Sequence, residues 1–159
     1  AALGDGYVKP CAYNVMQRMV EEFKRIGRRG AGGFYDYPAE GGKQLWSGLV
    51  EAFPRLAEQP EVAELRKRIL YIQALETARC LEEGVLTHPA DGDVGSLLAW
   101  GFPSWTGGTL SLIDTVGVQA FVADCERMAK LYGPRFKPST WLRERALRGE
   151  PFYAKEEVA

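Results

Sequence analysis

The 159-residue sequence predicts an all-α fold with one short extended segment. Three observations predict it. Apolar residues recur along most of the chain with a period near 3.6 rather than 2. Glycine and proline punctuate those runs where helices start and stop. No alternation of strand and helix is present from which a parallel sheet could be built.

Pro10 suits the first turn of a helix, where its missing N–H costs nothing. From there Ala12, Val15, Met16, Met19, Val20, Phe23 and Ile26 keep helical spacing, leaving Arg18, Glu21, Glu22 and Lys24 outside. Gly27 and Gly30 end that helix within the run Gly27-Arg28-Arg29-Gly30-Ala31-Gly32-Gly33. Phe34 to Pro38 reads as the extended segment and Ala39-Glu40-Gly41-Gly42 as a surface turn. A short amphipathic helix carrying Leu45, Trp46, Leu49, Val50 and Phe53 follows, ended by Pro54. Residues 54–60 read as a linker between the two bounding prolines.

The strongest helical pattern covers about 61–83, through Val62, Leu65, Ile69, Ile72, Leu75, Ala78, Cys80 and Leu81, with Gly84 where a left-handed residue commonly ends a helix. A second helix starts at His88-Pro89 and runs through Val94, Leu97 and Leu98 to the Gly101-Phe102-Pro103 turn. Leu110 to Val116 is apolar and broken by Gly117. Residues 118–132 carry Phe121, Val122, Cys125, Met128 and Ala129, closed by Gly133-Pro134. Ser139 or Thr140 caps a last short helix, Trp141 to Arg148, ahead of an acidic tail.

Composition excludes several function classes. Twenty Lys+Arg against 21 Asp+Glu give a net charge of −1, so no basic field attracts nucleic acid. One His and three widely spaced Cys argue against a zinc site or a disulfide framework. No 18-residue apolar run encodes a membrane span, and no signal-peptide pattern follows Ala1, so the expected compartment is the cytoplasm. Ala1 in place of Met leads us to expect a processed chain or an excised piece.

Few residues invite chemistry. The glycine run at 27–33 follows a helix and opens an extended segment, whereas a phosphate-cradling loop follows a strand and opens a helix. It reads as a tight turn with exposed arginines. His88 is the only imidazole; Asp91 and Asp93 are near enough in sequence to orient a general base, but helix-cap residues look the same and nothing in the sequence requires a base here, so the structural reading is favoured. Cys11, Cys80 and Cys125 fall on apolar helix faces, and Met16, Met19 and Met128 in core stripes. The loop Gly101-Phe102-Pro103-Ser104-Trp105-Thr106-Gly107-Gly108 stands out for its two aromatics among glycines and proline. Leu45, Trp46, Phe102 and Trp105 are therefore the candidate interface residues, apolar side chains in or beside loops.

Four segments then become recognisable together. Glu76-Thr-Ala-Arg-Cys-Leu-Glu-Glu-Gly84, Pro89-Ala90-Asp91-Gly92-Asp93, Gly101 to Gly108 and Ile113-Asp114-Thr115-Val116-Gly117 resemble, in order and spacing, the C-terminal region of 3-hydroxyacyl-CoA dehydrogenases. The resemblance is to the α-subunit type of multifunctional fatty-acid β-oxidation protein. Gly27 to Tyr37 resembles the segment that closes the first C-terminal helical domain of that family, and the match covers about residues 18 to 153.

The resemblance implies a helical fold like the C-terminal domain of 6-phosphogluconate dehydrogenase. It implies that 1–60 is the tail end of a first helical domain plus linker, and 61–159 a second helical domain. It implies that NAD, the dinucleotide-binding glycines and the catalytic His–Glu pair belong to a Rossmann domain, and nothing in these residues matches them. The Asn-Arg pair of the family's first helical copy falls here on Lys67-Arg68, so the Asn is missing and no catalytic side chain is expected. The expected partners are the Rossmann and first helical domains of a parent protein, with self-association of isolated chains; no cofactor or metal is expected on this chain. Two rival readings are an independent all-α interaction module and a small enzyme built on His88 with Asp91 or Asp93.

Overall fold

The first helix begins at Tyr13 and its last turn is wider than an α-turn. In the computed structural model, which describes residues 12–30 and 32–153, α1 spans Tyr13–Gln17 and passes into a π-turn at Arg18–Glu22, where Phe23 N–H donates to Arg18 O at 3.0 Å. The wider turn carries the apolar pattern off one face. Met19 is buried, but Met16, Val20 and Ile26 lie in solvent, so the stripe predicted from periodicity is only partly a core face.

The helix ends at Phe23 rather than running through Ile26. Lys24 takes a left-handed φ of 56°, and Arg25 N–H reaches back to Met19 O at 2.8 Å. Arg25 explains the stop. Its guanidinium donates to Gly33 O at 2.6 Å and to Tyr35 O at 3.3 Å, pairs with Asp36, and stacks over Trp46 at 4.6 Å. A continuing helix would carry that side chain away from every one of these partners. Pro10 and Cys11 lie outside the described residues.

Two strands appear where the sequence predicts one extended segment. β1 (Tyr35–Asp36) pairs antiparallel with β2 (Gln44–Leu45), Tyr35 opposite Leu45. Leu45 and Trp46 are thus extended, not helical, and α2 covers only Leu49–Ala52. The ladder continues past β2, because Trp46 N–H donates to Phe34 O at 3.0 Å. The Trp46 ring packs on Phe23 with centroids 5.1 Å apart. These elements belong to one unit, Ala1–Gln59; Pro60–Ala159 form a second.

The second unit is helical among its described residues. α3 spans Val62–Glu82 and closes as the sequence requires: Gly84 sits at φ 71°, Val85 N–H donates to Cys80 O at 2.8 Å, and Gly84 N–H to Leu81 O at 3.2 Å. α4 (Pro89–Ala99), a 3₁₀ turn at Ser104–Thr106, α5 (Thr109–Val116) and α6 (Val118–Tyr132) follow. A second 3₁₀ turn at Pro134–Phe136 leads to α7 (Thr140–Arg148), where Ser139 Oγ accepts from Leu142 N–H at 3.1 Å. Among the described residues the chain is all-α apart from the small two-strand ladder.

The core of this unit lies between α3, α5 and α6. Tyr71, Ala74, Leu75 and Ala78 of α3 meet Leu110 and Ile113 of α5 and Phe121, Cys125 and Met128 of α6. Tyr71 and Phe121 stack at 4.5 Å. At the rim, Arg127 holds Glu64 through two bonds of 3.0 Å, and Lys67 donates to Asp124 at 2.7 Å.

These groups give stability a pH window. The Arg127 hydrogen bonds hold the Glu64 carboxyl below its ordinary value of 4.5. Burial pushes the Cys125 thiol from 9.0 up to about 12, and burial with the Asp124 charge pushes Tyr71 from 10.0 up to about 12. A lowered carboxyl stabilises the fold above its unfolded value and loses that contribution as pH falls. A raised acid stabilises below its unfolded value and loses that contribution as pH rises toward its folded value. Urea midpoints should therefore hold level between about pH 5 and 9 and fall on both sides. An alkaline limb unchanged in Cys125→Ala and Tyr71→Phe chains would contradict the assignment.

Candidate docking surfaces and the Asp93 clasp

The loop that the sequence singles out is anchored by a carboxylate the sequence does not mark as structural. α4 turns a small, polar face inward: Gly92, Asp93 and Ser96 are buried, while Val94 and Leu98 are 54% and 82% exposed. Val94 and Leu98 therefore point outward, while Leu97 is half-buried. A Cβ on Gly92 would lie 2.7 Å from Thr77 Cγ2, so the small face lets α4 approach α3 closely.

Asp93, 4% exposed, accepts four hydrogen bonds. Leu110 N–H donates at 2.6 Å, Ser111 N–H at 3.0 Å, Ser111 Oγ at 2.6 Å and Tyr153 OH at 2.8 Å. Leu110 and Ser111 stand in the first turn of α5, whose N-cap is Gly108. Gly108 has no side chain to cap the helix, so Asp93 supplies the cap from α4. The two positions are complementary: Gly108 sits at φ 123°, and a Cβ there would lie 2.4 Å from Asp93 Cβ and Cγ. Burial, then the hydrogen bond to Asp93, raises Tyr153 well above the ordinary phenol range. Asp114 fixes the same C-terminal segment, accepting from Phe152 and Tyr153 N–H at 2.8 and 2.9 Å.

Within this frame the four candidate interface residues separate. Trp105, 76% exposed, projects from a 3₁₀ turn closed by Thr106 Oγ1, which donates to Pro103 O at 2.7 Å and accepts from Gly108 N–H at 3.1 Å. Phe102 is 3% exposed and belongs to the core, so it leaves the candidate surface. Leu45 is 60% exposed on β2. Trp46 is half-buried between Phe23 and Arg25 and serves its own unit.

No acid–base pair forms at His88. It is the exposed residue ahead of α4, in extended conformation and without a side-chain cap bond, while Asp91 is exposed and Asp93 is engaged by its four donors. The glycine run forms a bridge, with Gly27 N–H donating to Gly32 O at 2.8 Å, and follows a helix. The glycine run therefore lacks the order of strand, glycine turn and helix N-terminus that cradles a dinucleotide. Lys67 and Arg68, where the resemblance would place an Asn-Arg pair, serve the fold: Lys67 pairs with Asp124, and Arg68 lies 4.1 Å over the Tyr132 ring.

Sequence reasoning missed one feature. A groove of about 420 Å³ opens between α3 and α4, lined by Ile72, Cys80, Val85, Leu86 and Trp100 with Glu76 at its edge. Trp100 Nε1 donates to Gln73 Oε1 at 2.9 Å and fixes its wall. Cys80 is thus a half-buried groove residue, whereas Cys125 is fully buried in the core. The signal was available: Leu65, Ile69 and Ile72 form a second apolar strip, about 120° round α3 from Tyr71, Leu75 and Ala78.

No family model matches the chain. It is 33% identical over 154 residues to the fatty acid oxidation complex subunit alpha of Shewanella amazonensis, covering 95% of this chain and 21% of that protein. The same subunit of Pseudomonas savastanoi pv. phaseolicola is 34% identical over 150 residues, covering 84% of this chain and 19% of that protein. This chain is similar to fatty acid oxidation complex alpha subunits. It spans about a fifth of the length of these curated relatives.

One outcome tests the clasp and a second the placement of the two cysteines. Gly108→Ala should cost on the order of 3 kcal/mol, from a glycine-only φ/ψ and the clash with Asp93, read as a lowered urea midpoint. Ellman's reagent should modify Cys80 in the folded chain and reach Cys125 only on unfolding. Equal rates for both would place Cys125 outside the core.

Proposed function

We propose that this chain is the helical C-terminal portion of a 3-hydroxyacyl-CoA dehydrogenase of fatty-acid β-oxidation, a scaffold and interface for an NAD-binding domain outside these 159 residues. On this reading residues 1–60 are the end of a first helical domain with its linker, and 61–159 are a second helical domain. The parent acts in the cytoplasm and oxidises a 3-hydroxyacyl-CoA at C3, passing hydride to NAD⁺.

One observation carries the reading: Trp105 is held out in solvent on a loop whose two ends are fixed. Phe102 roots that loop in the core, Thr106 closes it, and Asp93 fixes the helix that follows. A rigid, exposed Trp loses little conformational freedom on docking and is the residue type most enriched where binding energy concentrates. The relatives' names support fatty-acid oxidation as the setting of the parent protein. Leu45 supplies a separate apolar contact from the first unit.

The test uses the full chain with the separately produced NAD-binding domain of its parent. Isothermal titration should detect binding, and Trp105→Ala should weaken it at least about tenfold, as loss of a central aromatic anchor does. The chain alone should not oxidise NADH with acetoacetyl-CoA above a no-enzyme control. Turnover by the chain alone, or binding indifferent to Trp105→Ala, would overturn the reading.

A further inference from the structure

The groove beside α4 does not end at Ile72. The same half-buried residue also lines a second hollow of about 430 Å³, shared with Leu65, Arg68 and Ile69 of α3 and with Arg135 from the second 3₁₀ turn. The two hollows follow one another along α3, where about 18 Å of helix separates Arg68 from Cys80. Apolar side chains run the length of this trough, and much of that surface meets water: Ile69 is 62% exposed, Val85 70% and Trp100 55%. Charge is spread unevenly over it. Arg68 and Arg135 stand at one end, while Glu76 and Asp91 edge the other.

We infer that this trough holds a single-chain amphiphile with an anionic head, its carboxylate or phosphate at Arg68 and Arg135 and its alkyl chain laid over Ile69 and Ile72 into the groove between α3 and α4. Charge sets the direction. Arg68 forms no ion pair among the described residues, because Glu64, the acid one turn before it, is held by two bonds of 3.0 Å from Arg127. Stacking 4.1 Å over Tyr132 holds the Arg68 guanidinium by its face and leaves its N–H edge for an oxyanion. The reverse orientation would set the head against Glu76 and Asp91, charges of its own sign, whereas those carboxylates do not oppose an uncharged chain end.

The groove end is shaped in advance. Trp100 is tied to Gln73, and Gly92 sets the spacing of α3 and α4 through its contact with Thr77. Thr77 Oγ1 turns back to donate to Gln73 O at 3.1 Å, so its hydroxyl is satisfied without water. Gly95 keeps the slot open, since a Cβ there would meet no atom within 4 Å. The trough includes neither Trp105 nor Leu45, so its ligand is separate from the docking contact proposed above.

Isothermal titration of the full chain with octanoate, decanoate and dodecanoate, each kept monomeric, tests the inference. One site per chain is expected, with affinity rising about two- to fourfold for each methylene added, the upper figure being full burial. Gly95→Leu fills the slot and replaces a helical glycine, so thermal melts should stay at or above wild type while dodecanoate binding is lost. Arg68→Ala should weaken dodecanoate about fivefold and leave uncharged dodecanol within about twofold. Dodecyl phosphate should bind as dodecanoate does, and dodecyltrimethylammonium more weakly than either. Absence of dodecanoate binding, a folded Gly95→Leu chain that binds it as wild type does, or an Arg68→Ala chain that loses dodecanol as much as dodecanoate would overturn the inference. So would a chain that pellets with phosphatidylglycerol vesicles but ignores monomeric dodecanoate, since the ligand would then be a lipid surface.

Discussion

A carboxylate taken out of water must find donors for its oxygens, and in the second unit Asp93 finds four. That requirement organises much around it. α4 can bring the carboxylate inside only because Gly92 and Ser96 keep the rest of its inner face small. α5 can use it as a cap only because Gly108 offers neither a competing side chain nor a Cβ in the way. The C-terminal segment closes over the site because Tyr153 OH supplies the fourth donor, while Asp114 holds the adjoining backbone. Three stretches far apart in sequence thus share one charge. Its field also suits the positive end of the α5 macrodipole.

The same clasp accounts for the unusual polarity of α4. A helix normally hides its apolar stripe. Here a buried ion and close approach to α3 occupy the inner face, and Val94 and Leu98 are left outside. Periodicity locates this helix, but spacing alone does not say which of its apolar residues are buried. The loop after it divides for a similar reason. Phe102 and Trp105 are equally aromatic in sequence, yet Phe102 N–H bonds to Ser96 O at 3.0 Å and its ring enters the core, while the next turn throws Trp105 outward.

Elsewhere the sequence is legible where local chemistry decides the structure. The ends of α3, α6 and α7 follow from glycine and serine closures that act within a few residues. The first unit is less legible because its decisive contact is not local. Arg25 leaves the helix to bind carbonyls eight and ten residues further on, and no window of helical spacing contains that information. The π-turn at Arg18–Glu22 compounds the error by shifting the register of every apolar residue beyond it.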